Sequence, residues 1–169
     1  MANDTQHDEY LPIPQPGELR EQEKEAAMGS YFMMLVTLAV GLPLPIINLI
    51  AAFIYYYFIR SKGNFVKFHA YQSLISQIPI SLLNAVVIVW VVTIVFFSAP
   101  FSSTFIGFVA IVFIANLVYL IVSIIAAVHS RQGKVYYFLF FGKMAYIHAF
   151  KNKPGNSVQQ TETVNKPPV

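Results

Sequence analysis

The sequence predicts an all-α integral membrane protein with four membrane helices: a short proline-broken hairpin, a longer two-helix hairpin and, after them, a C-terminal interfacial aromatic segment. Its composition is 56% hydrophobic and only 11% charged, whereas an average soluble domain is about 25% charged. Residues 68–130 carry no formal charge over 63 positions, which is enough for two spans of about 20 residues with a turn. Residues 26–161 contain eight Lys or Arg and no Asp or Glu.

The chain divides into three regions by composition. Residues 1–25 are predicted to form an acidic, proline-containing soluble arm, because residues 1–30 hold seven acids against Arg20 and Lys24. The arm also lacks the basic start and short apolar core of a secretory signal. Residues 26–150 form the membrane domain. Residues 151–169 are polar and poor in apolar groups, which predicts a disordered tail.

The first hairpin is predicted over residues 26–59, of which all 34 are uncharged. One straight helix of that length would measure about 50 Å, against a hydrocarbon core of about 30 Å. The segment GLPLP, Gly41 to Pro45, interrupts it, and proline removes a helical donor and disfavours helix in the residue before it. We therefore expect two short helices, about residues 26–41 and 45–59, folded back on each other. A single kinked and tilted helix is the alternative.

The second hairpin is predicted over residues 68–130, with its turn at SAPFSST, Ser98 to Thr104. Basic residues flank this hairpin and are absent from its turn: Arg60, Lys62 and Lys67 precede it, and Arg131, Lys134, Lys143, Lys151 and Lys153 follow it. The positive-inside rule predicts that both basic groups of a multi-pass protein face the cytoplasm or the equivalent inner compartment. Both termini are then cytoplasmic if the first hairpin forms, and the basic inner rim is expected to attract anionic lipid.

The last apolar segment, residues 135–150, is too short to span a bilayer comfortably and contains Lys143 and His148. An aromatic segment with basic residues is typical of a helix that lies in the plane of the membrane interface. A fifth span is the alternative interpretation.

A polar stripe is predicted on the helix that starts near Phe68. At about 100° per residue, six polar side chains share one half of this helix: His69, Gln72, Ser73, Ser76, Gln77 and Asn84. The next helix has a fainter counterpart at i, i+3 and i+7, formed by Asn116, Tyr119 and Ser123. An unsatisfied amide in hydrocarbon costs several kcal/mol, so these groups must meet protein or water. They form either hydrogen bonds between helices or the lining of a conduit or substrate cavity.

Two segments, NFVKFHAYQSLI and HSRQGKVYYFLFFGKMA, carry a family resemblance. Its residues are Phe65, Lys67, His69 and Gln72 in the first segment, and Gly133, Lys134, Tyr136, Gly142, Lys143 and Ala145 in the second. Over about residues 26–150 the chain resembles small bacterial membrane proteins of unknown function that are related to the four-span subunit of the chloroplast inner-envelope protein import translocon. The resemblance implies four membrane helices in the bacterial inner membrane and supports the folded-back first hairpin, but it implies no established activity.

Several kinds of chemistry are disfavoured. The chain has no cysteine, which excludes thiolate zinc sites and cysteine nucleophiles, and its membrane domain has no carboxylate for an acid/base pair. His69 and Ser73 stand at i and i+4 but lack a nucleophile elbow and an acidic orienter. His129 and His148 have no further metal-ligand motif. We expect no enzyme activity, no metal, no cofactor and no nucleic-acid partner.

Two functions remain open. One is a translocon-like or pore-forming subunit, which the polar stripe and the resemblance favour. The other is a structural membrane protein that acts as a partner-binding scaffold without transport, through its acidic arm or its basic rim. Because four short helices enclose little room, a pore would need several copies, and a homo-oligomer or a membrane-protein partner is expected.

Overall fold

The structure, a computed structural model, describes residues 10–40, 45–151, 165, 167 and 168, with only the backbone described for residues 33–40, 45 and 46. Five helices form the described part of the chain: α1 (Glu21–Val40), α2 (Pro45–Ile59), α3 (Asn64–Phe97), α4 (Ser103–Arg131) and α5 (Leu139–Phe150). Its one extended contact is an isolated antiparallel bridge between Tyr10 and Lys151. The predicted all-α class is confirmed.

Helices α1 and α2 fold back on each other. The Tyr55 hydroxyl donates a hydrogen bond of 3.2 Å to the Ala26 carbonyl, and Gly29 packs so closely against that hydroxyl that a Cβ would not fit. A continuous helix would separate residues 26 and 55 by about 44 Å at 1.5 Å per residue. This contact therefore agrees with the folded-back hairpin and not with the single kinked helix. Most of the predicted break, residues 41–44, lies outside the described residues.

The first two helices accompany only the beginning of α3. Helix α2 ends beside the beginning of α3, where Ile59 packs near Val66, and its 15 residues measure about 22 Å. Helix α3 has 34 residues and measures about 51 Å. Helix α1 reaches a similar level, because it runs from the contact of Ala27 with Phe65 and ends at Val40. Accordingly, no residue of α3 beyond Ser81 is buried.

These lengths bear on the predicted number of spans. Among the described residues, α3 and α4 are long and apolar enough to cross a membrane, and residues 47–59 form a shorter apolar helix. At about 22 Å, α2 is shorter than a hydrocarbon core of about 30 Å. The predicted count of four spans is therefore not confirmed. The total length of residues 26–59 predicts two membrane helices, but it carries no information on how little of α3 the folded-back pair covers.

Helices α3 and α4 form the second hairpin. Helix α3 ends at Ser98, which adopts a left-handed conformation with φ of 53°. Helix α4 begins after Ser102, whose hydroxyl accepts a hydrogen bond of 3.2 Å from the Phe105 amide, a normal N-cap. Near this turn the ring of Trp90 packs edge-to-face on Phe105. The predicted turn, Ser98 to Thr104, agrees with the structure to within a few residues.

Helix α5 has two different faces. Its buried face consists of Gly142, Ala145, Tyr146, Ala149 and Phe150, and its exposed face includes Leu139, Phe140, Met144 and Ile147. With 12 residues it measures about 18 Å. This length is too short for a fifth span across a hydrocarbon core of about 30 Å, and a position along the membrane interface stays a prediction.

The predicted arm and tail contribute to the packed part of the fold. Ile13 and Leu19, in the arm, are buried, and α1 begins at Glu21, before the predicted domain boundary. In the tail, the buried Asn165 side chain donates hydrogen bonds of 2.8 Å to the Pro14 carbonyl and 3.0 Å to the Gly133 carbonyl. Residues 1–9 of the arm and most of the tail lie outside the described residues.

The molecule thus has two parts, the base and the apolar hairpin. The base consists of residues 10–32, 47–81 and 119–151, where parts of all five helices and the segments at both ends pack together. The apolar hairpin consists of residues 82–118, the remaining lengths of α3 and α4. In the apolar hairpin only Phe105 and Val112 are buried, and many of its other apolar side chains are exposed.

Candidate functional site

The polar stripe lies mainly inside the base. His69, Gln72, Ser73, Ser76 and Gln77 are each 3% exposed or less, and Asn84, in the apolar hairpin, is half-buried. The first part of α3 is surrounded by α1, α2 and α5 and by the loop between α4 and α5. This surrounding protein, rather than lipid, is the environment of five of the six predicted stripe residues.

Tyr31 of α1 is the centre of the buried network. Its fully buried hydroxyl lies 2.9 Å from His69 Nδ1 and accepts a hydrogen bond of 3.0 Å from Gln72 Nε2. Because the hydroxyl accepts from Gln72, its own proton is available for Nδ1 of the histidine. We therefore assign the proton of the neutral imidazole to Nε2. That nitrogen makes no hydrogen bond of normal geometry and faces the Lys134 backbone.

Gln72 connects α3 to the loop before α5. Its Nε2 also donates a hydrogen bond of 2.8 Å to the Tyr136 carbonyl, and its Oε1 accepts one of 3.3 Å from the Phe138 amide. The loop backbone at these positions has no helix or sheet to satisfy it, so one side-chain amide takes that role. Gln72 therefore holds three elements together, namely α1, α3 and the loop.

The serines and asparagines of the stripe connect α3 to its other neighbours. Ser73 donates a hydrogen bond of 2.8 Å to the Ser30 carbonyl of α1, and Ser76 lies 3.1 Å from the Tyr119 hydroxyl of α4. Further along, Asn84 and Asn116 exchange reciprocal amide hydrogen bonds of 3.1 and 2.9 Å. These pairs join the predicted stripe to its predicted counterpart on α4.

The remaining counterpart residue, Ser123, is fully buried and bonds the Tyr119 side chain from one turn further along α4. His69 and Ser73, the i and i+4 pair, direct their polar atoms to Tyr31 and Ser30. Within the described residues there is no group of three or more His, Asp or Glu side chains that could hold a metal ion.

Gln77 differs from the other stripe residues. Both of its amide atoms are buried without a hydrogen-bond partner, and so is Oδ1 of Asn48 on α2. Gln77 lies two turns beyond Ala70 on α3, Asn48 lies two turns before Tyr56 on α2, and Ala70 and Tyr56 belong to one buried cluster between these helices. A buried amide without a partner is rare and costly.

The sequence matches the magnetosome magnetite crystal formation protein family over residues 22–145. The chain belongs to this family. Searches among curated proteins and among solved structures found no match. The match agrees with the expectation of a small membrane protein family, but nothing in these comparisons links the chain to the translocon subunit that its motifs resemble. The family match and the two exposed apolar helices together indicate a membrane-associated protein of the magnetosome family.

The matched range of this magnetosome family protein includes the whole buried network from Ser30 to Phe138. Within this range, the two motif glycines pack closely against neighbouring residues. Gly133 has φ of +73°, and a Cβ there would meet the Pro16 backbone at 3.0 Å. A Cβ on Gly142 would meet Tyr137 at 2.6 Å. Phe65 and Ala145 are buried, whereas Lys143 is exposed.

Tyr31 and Ser30 were not among the predicted site residues. They are the two polar side chains in the otherwise apolar stretch AAMGSYFMMLV, Ala26 to Val36, and this signal could have identified them. Asn165 was also missed, since a lone asparagine in a polar tail carries no pattern. The contacts of Gln72 with the loop could not be found from side-chain patterns, because its partners there are backbone groups.

Proposed function

We propose that this protein is a non-catalytic, membrane-embedded scaffold that acts in magnetite crystal formation at the magnetosome membrane. One observation carries the scaffold role: apart from the Gln77 amide and His69 Nε2, the side chains of the polar stripe form hydrogen bonds within the chain. The family match supports the assignment to magnetite crystal formation. The apolar hairpin has the exposed apolar surface of a membrane anchor. The base presents charged and aromatic groups to which a partner can bind.

The occupied hydrogen bonds favour a scaffold over a conduit. A water-lined path presents polar side chains to water, whereas His69, Gln72 and Ser73 are directed to Tyr31, the α4–α5 loop and Ser30. Such contacts fix the relative positions of helices, which is the usual role of polar groups between membrane helices. A second copy of the chain or another membrane protein is the expected partner of a scaffold of this size.

Cysteine accessibility tests the scaffold proposal directly, because the natural chain has no cysteine. Ser73→Cys, Asn84→Cys and Ser102→Cys variants of the full chain are reconstituted in vesicles and treated with a water-soluble maleimide. We expect Ser102→Cys to react, because it lies in the turn of the apolar hairpin, and Ser73→Cys and Asn84→Cys to stay unlabelled. Labelling of the last two at the rate of Ser102→Cys would rule out a closed scaffold.

The role in magnetite formation needs a test in cells. Deletion of the gene from a magnetosome-forming host is expected to change the size or number of magnetite crystals, measured by electron microscopy. The wild-type gene and a Lys143→Gln control are expected to restore the crystals, whereas Gln72→Leu is expected not to restore them. Unchanged crystals in the deletion strain would contradict this role, whatever the labelling experiment gives.

A translocon-like or pore-forming subunit is the second candidate, and Gln77 is the observation that favours it. Its amide is buried without a partner, as expected of a group that meets water or a substrate when several copies assemble. A Gln77→Cys variant separates the two proposals in the same vesicles. Labelling at both Gln77→Cys and Asn84→Cys supports a wet path, and the absence of labelling at both supports the scaffold.

A further inference from the structure

One side chain of the tail is buried between the arm and the loop that connects α4 to α5. Asn165 is 2% exposed, and it is the one buried residue in the described part of the tail. Residues 152–164, which precede it, have two valines and one proline as their only apolar side chains. A buried asparagine is therefore unexpected in a segment with so little apolar surface, and its contacts explain it.

Three backbone groups bind the Asn165 side chain. Its Nδ2 donates hydrogen bonds of 2.8 Å to the Pro14 carbonyl and 3.0 Å to the Gly133 carbonyl, and its Oδ1 accepts one of 2.9 Å from the Val135 amide. The Asn165 backbone amide donates to Gln15 Oε1 at 3.1 Å. These four groups of the arm and the loop are called the arm–loop site. Two acceptors and one donor at fixed positions are the complement of a primary carboxamide.

Contacts that do not involve the tail hold the arm–loop site in shape. The Gly133 backbone packs so closely on Pro16 that a Cβ there would lie 3.0 Å from the Pro16 Cα. The Gly133 amide also donates a hydrogen bond of 3.0 Å to the Ser130 carbonyl. The Val135 side chain packs against the buried cluster that contains Leu19 of the arm. We therefore expect the arm and the loop to stay together when the tail leaves.

The arrangement of donors and acceptors makes the site selective. An aspartate has the shape of asparagine, but its carboxylate has no proton to donate and would face the Pro14 and Gly133 carbonyl oxygens. A lysine donates to carbonyls but cannot accept from the Val135 amide, and a hydroxyl has only one proton to donate. Each of these replacements leaves a buried backbone group without a partner, which is costly. Asparagine satisfies the two carbonyls and the amide together.

We propose that the arm–loop site is a peptide-binding site for an asparagine side chain, which the tail of the same chain occupies through Asn165 and which a separate segment of the same sequence can enter when the tail leaves. The bonds are neutral and few, so the tail binds reversibly. Its attachment to α5 through residues 151–164 keeps its effective concentration high, which favours the tail over a separate peptide. The site goes beyond the scaffold proposal and uses none of the stripe residues.

The test uses the full chain in detergent micelles and follows hydrogen exchange of the Val135 amide by NMR. We expect this amide to exchange about tenfold faster in Asn165→Ala than in the wild type, because it loses its acceptor. Asn165→Asp is also expected to exchange faster, since its carboxylate is repelled by the two carbonyl oxygens. Asn156→Ala, which changes another asparagine of the tail, is the matched control and should behave like the wild type.

A peptide of residues 160–169, added at about millimolar concentration, then tests binding of a separate segment. It is expected to restore slow exchange of the Val135 amide in the Asn165→Ala protein, whereas the Asn165→Asp peptide is not. Equal exchange in the wild type and Asn165→Ala would overturn the role of the tail. Failure of the peptide to restore slow exchange would overturn the binding site, and restoration by both peptides would overturn its selectivity. Slow exchange along α4 identifies folded protein, and Asn165→Ser replaces Asn165→Ala if the latter unfolds.

Discussion

The two halves of α3 differ in burial and in polarity, although they belong to one continuous helix. Up to Ser81, the helix is polar on one side and buried by the rest of the base. Beyond Ser81 it is apolar, and large side chains such as Phe96 and Phe97 are 75% exposed. Without water to drive apolar groups together, a membrane protein gains cohesion from polar contacts and leaves apolar surface to lipid. The cohesion of this protein is therefore concentrated in the base.

The largest effect is expected from Gln72→Leu. The change removes three hydrogen bonds and leaves the Tyr136 carbonyl and the Phe138 amide without their partner. Leaving buried polar groups unpaired costs about 1–3 kcal/mol each, so we expect a loss of about 3 kcal/mol in the free energy of unfolding. Unfolding by SDS in mixed micelles, followed by circular dichroism, measures it. Val95→Ala, on the exposed surface of the apolar hairpin, is the control and should change stability by less than about 0.5 kcal/mol.

A smaller effect is expected from Tyr31→Phe. The ring and its packing against Phe138 remain, and only the hydroxyl shared by His69 and Gln72 is lost. Two neutral hydrogen bonds of about 1 kcal/mol each predict a loss of about 2 kcal/mol in the same unfolding assay. A Tyr31→Phe protein as stable as the wild type would mean that the hydroxyl is not the centre of the network.

The Asn84 and Asn116 pair is expected to matter less. It joins the two helices of the apolar hairpin by reciprocal hydrogen bonds, and such pairs in membranes average about 0.6 kcal/mol in double-mutant cycles. A cycle of Asn84→Ala, Asn116→Ala and the double variant measures the coupling. A coupling larger than the effect of Tyr31→Phe would reverse the comparison, because cohesion would then be strongest in the apolar hairpin.

The smallest effect is expected from pH, through His148. Partial burial, with Lys67 and Arg60 nearby, holds the pKa of His148 below its ordinary value. The folded protein therefore binds this proton more weakly than the unfolded chain does. Its stability is fully present above the ordinary imidazole pKa near 6.5 and is lost as the pH falls through the lowered pKa. Unfolding midpoints along a pH series should show less acid sensitivity in His148→Gln than in the wild type, and equal acid sensitivity in the two proteins would contradict the prediction.

Much of this fold could be predicted from the sequence. The end of α2 at Ile59, the turn near Pro100 and the polar stripe all followed from charge, proline and periodicity. Helix α3 begins at Asn64 rather than near Phe68, because the prediction began the helix where the charged residues stop. A lysine such as Lys67 is acceptable in a first helical turn that lies in the base rather than in lipid.

Part of the site was beyond prediction for physical reasons. The stripe residues were identified, but their partners are a tyrosine on a parallel helix and the backbone of an irregular loop. Neither leaves a periodic signal in the sequence. The number of spans depended on how far α1 and α2 extend along α3, which is a property of packing between helices and not of any one segment.

The short reach of α1 and α2 also gives the molecule an unequal cross-section. Near the base, four helices of about 10 Å diameter each stand side by side, and at the turn near Ser102 there are only two. A protein of this form is a wedge, and it takes up more area in one leaflet of a bilayer than in the other. It should therefore favour strongly curved membranes over flat ones, and the density of a fluorescently labelled protein on small and large vesicles would reveal that preference.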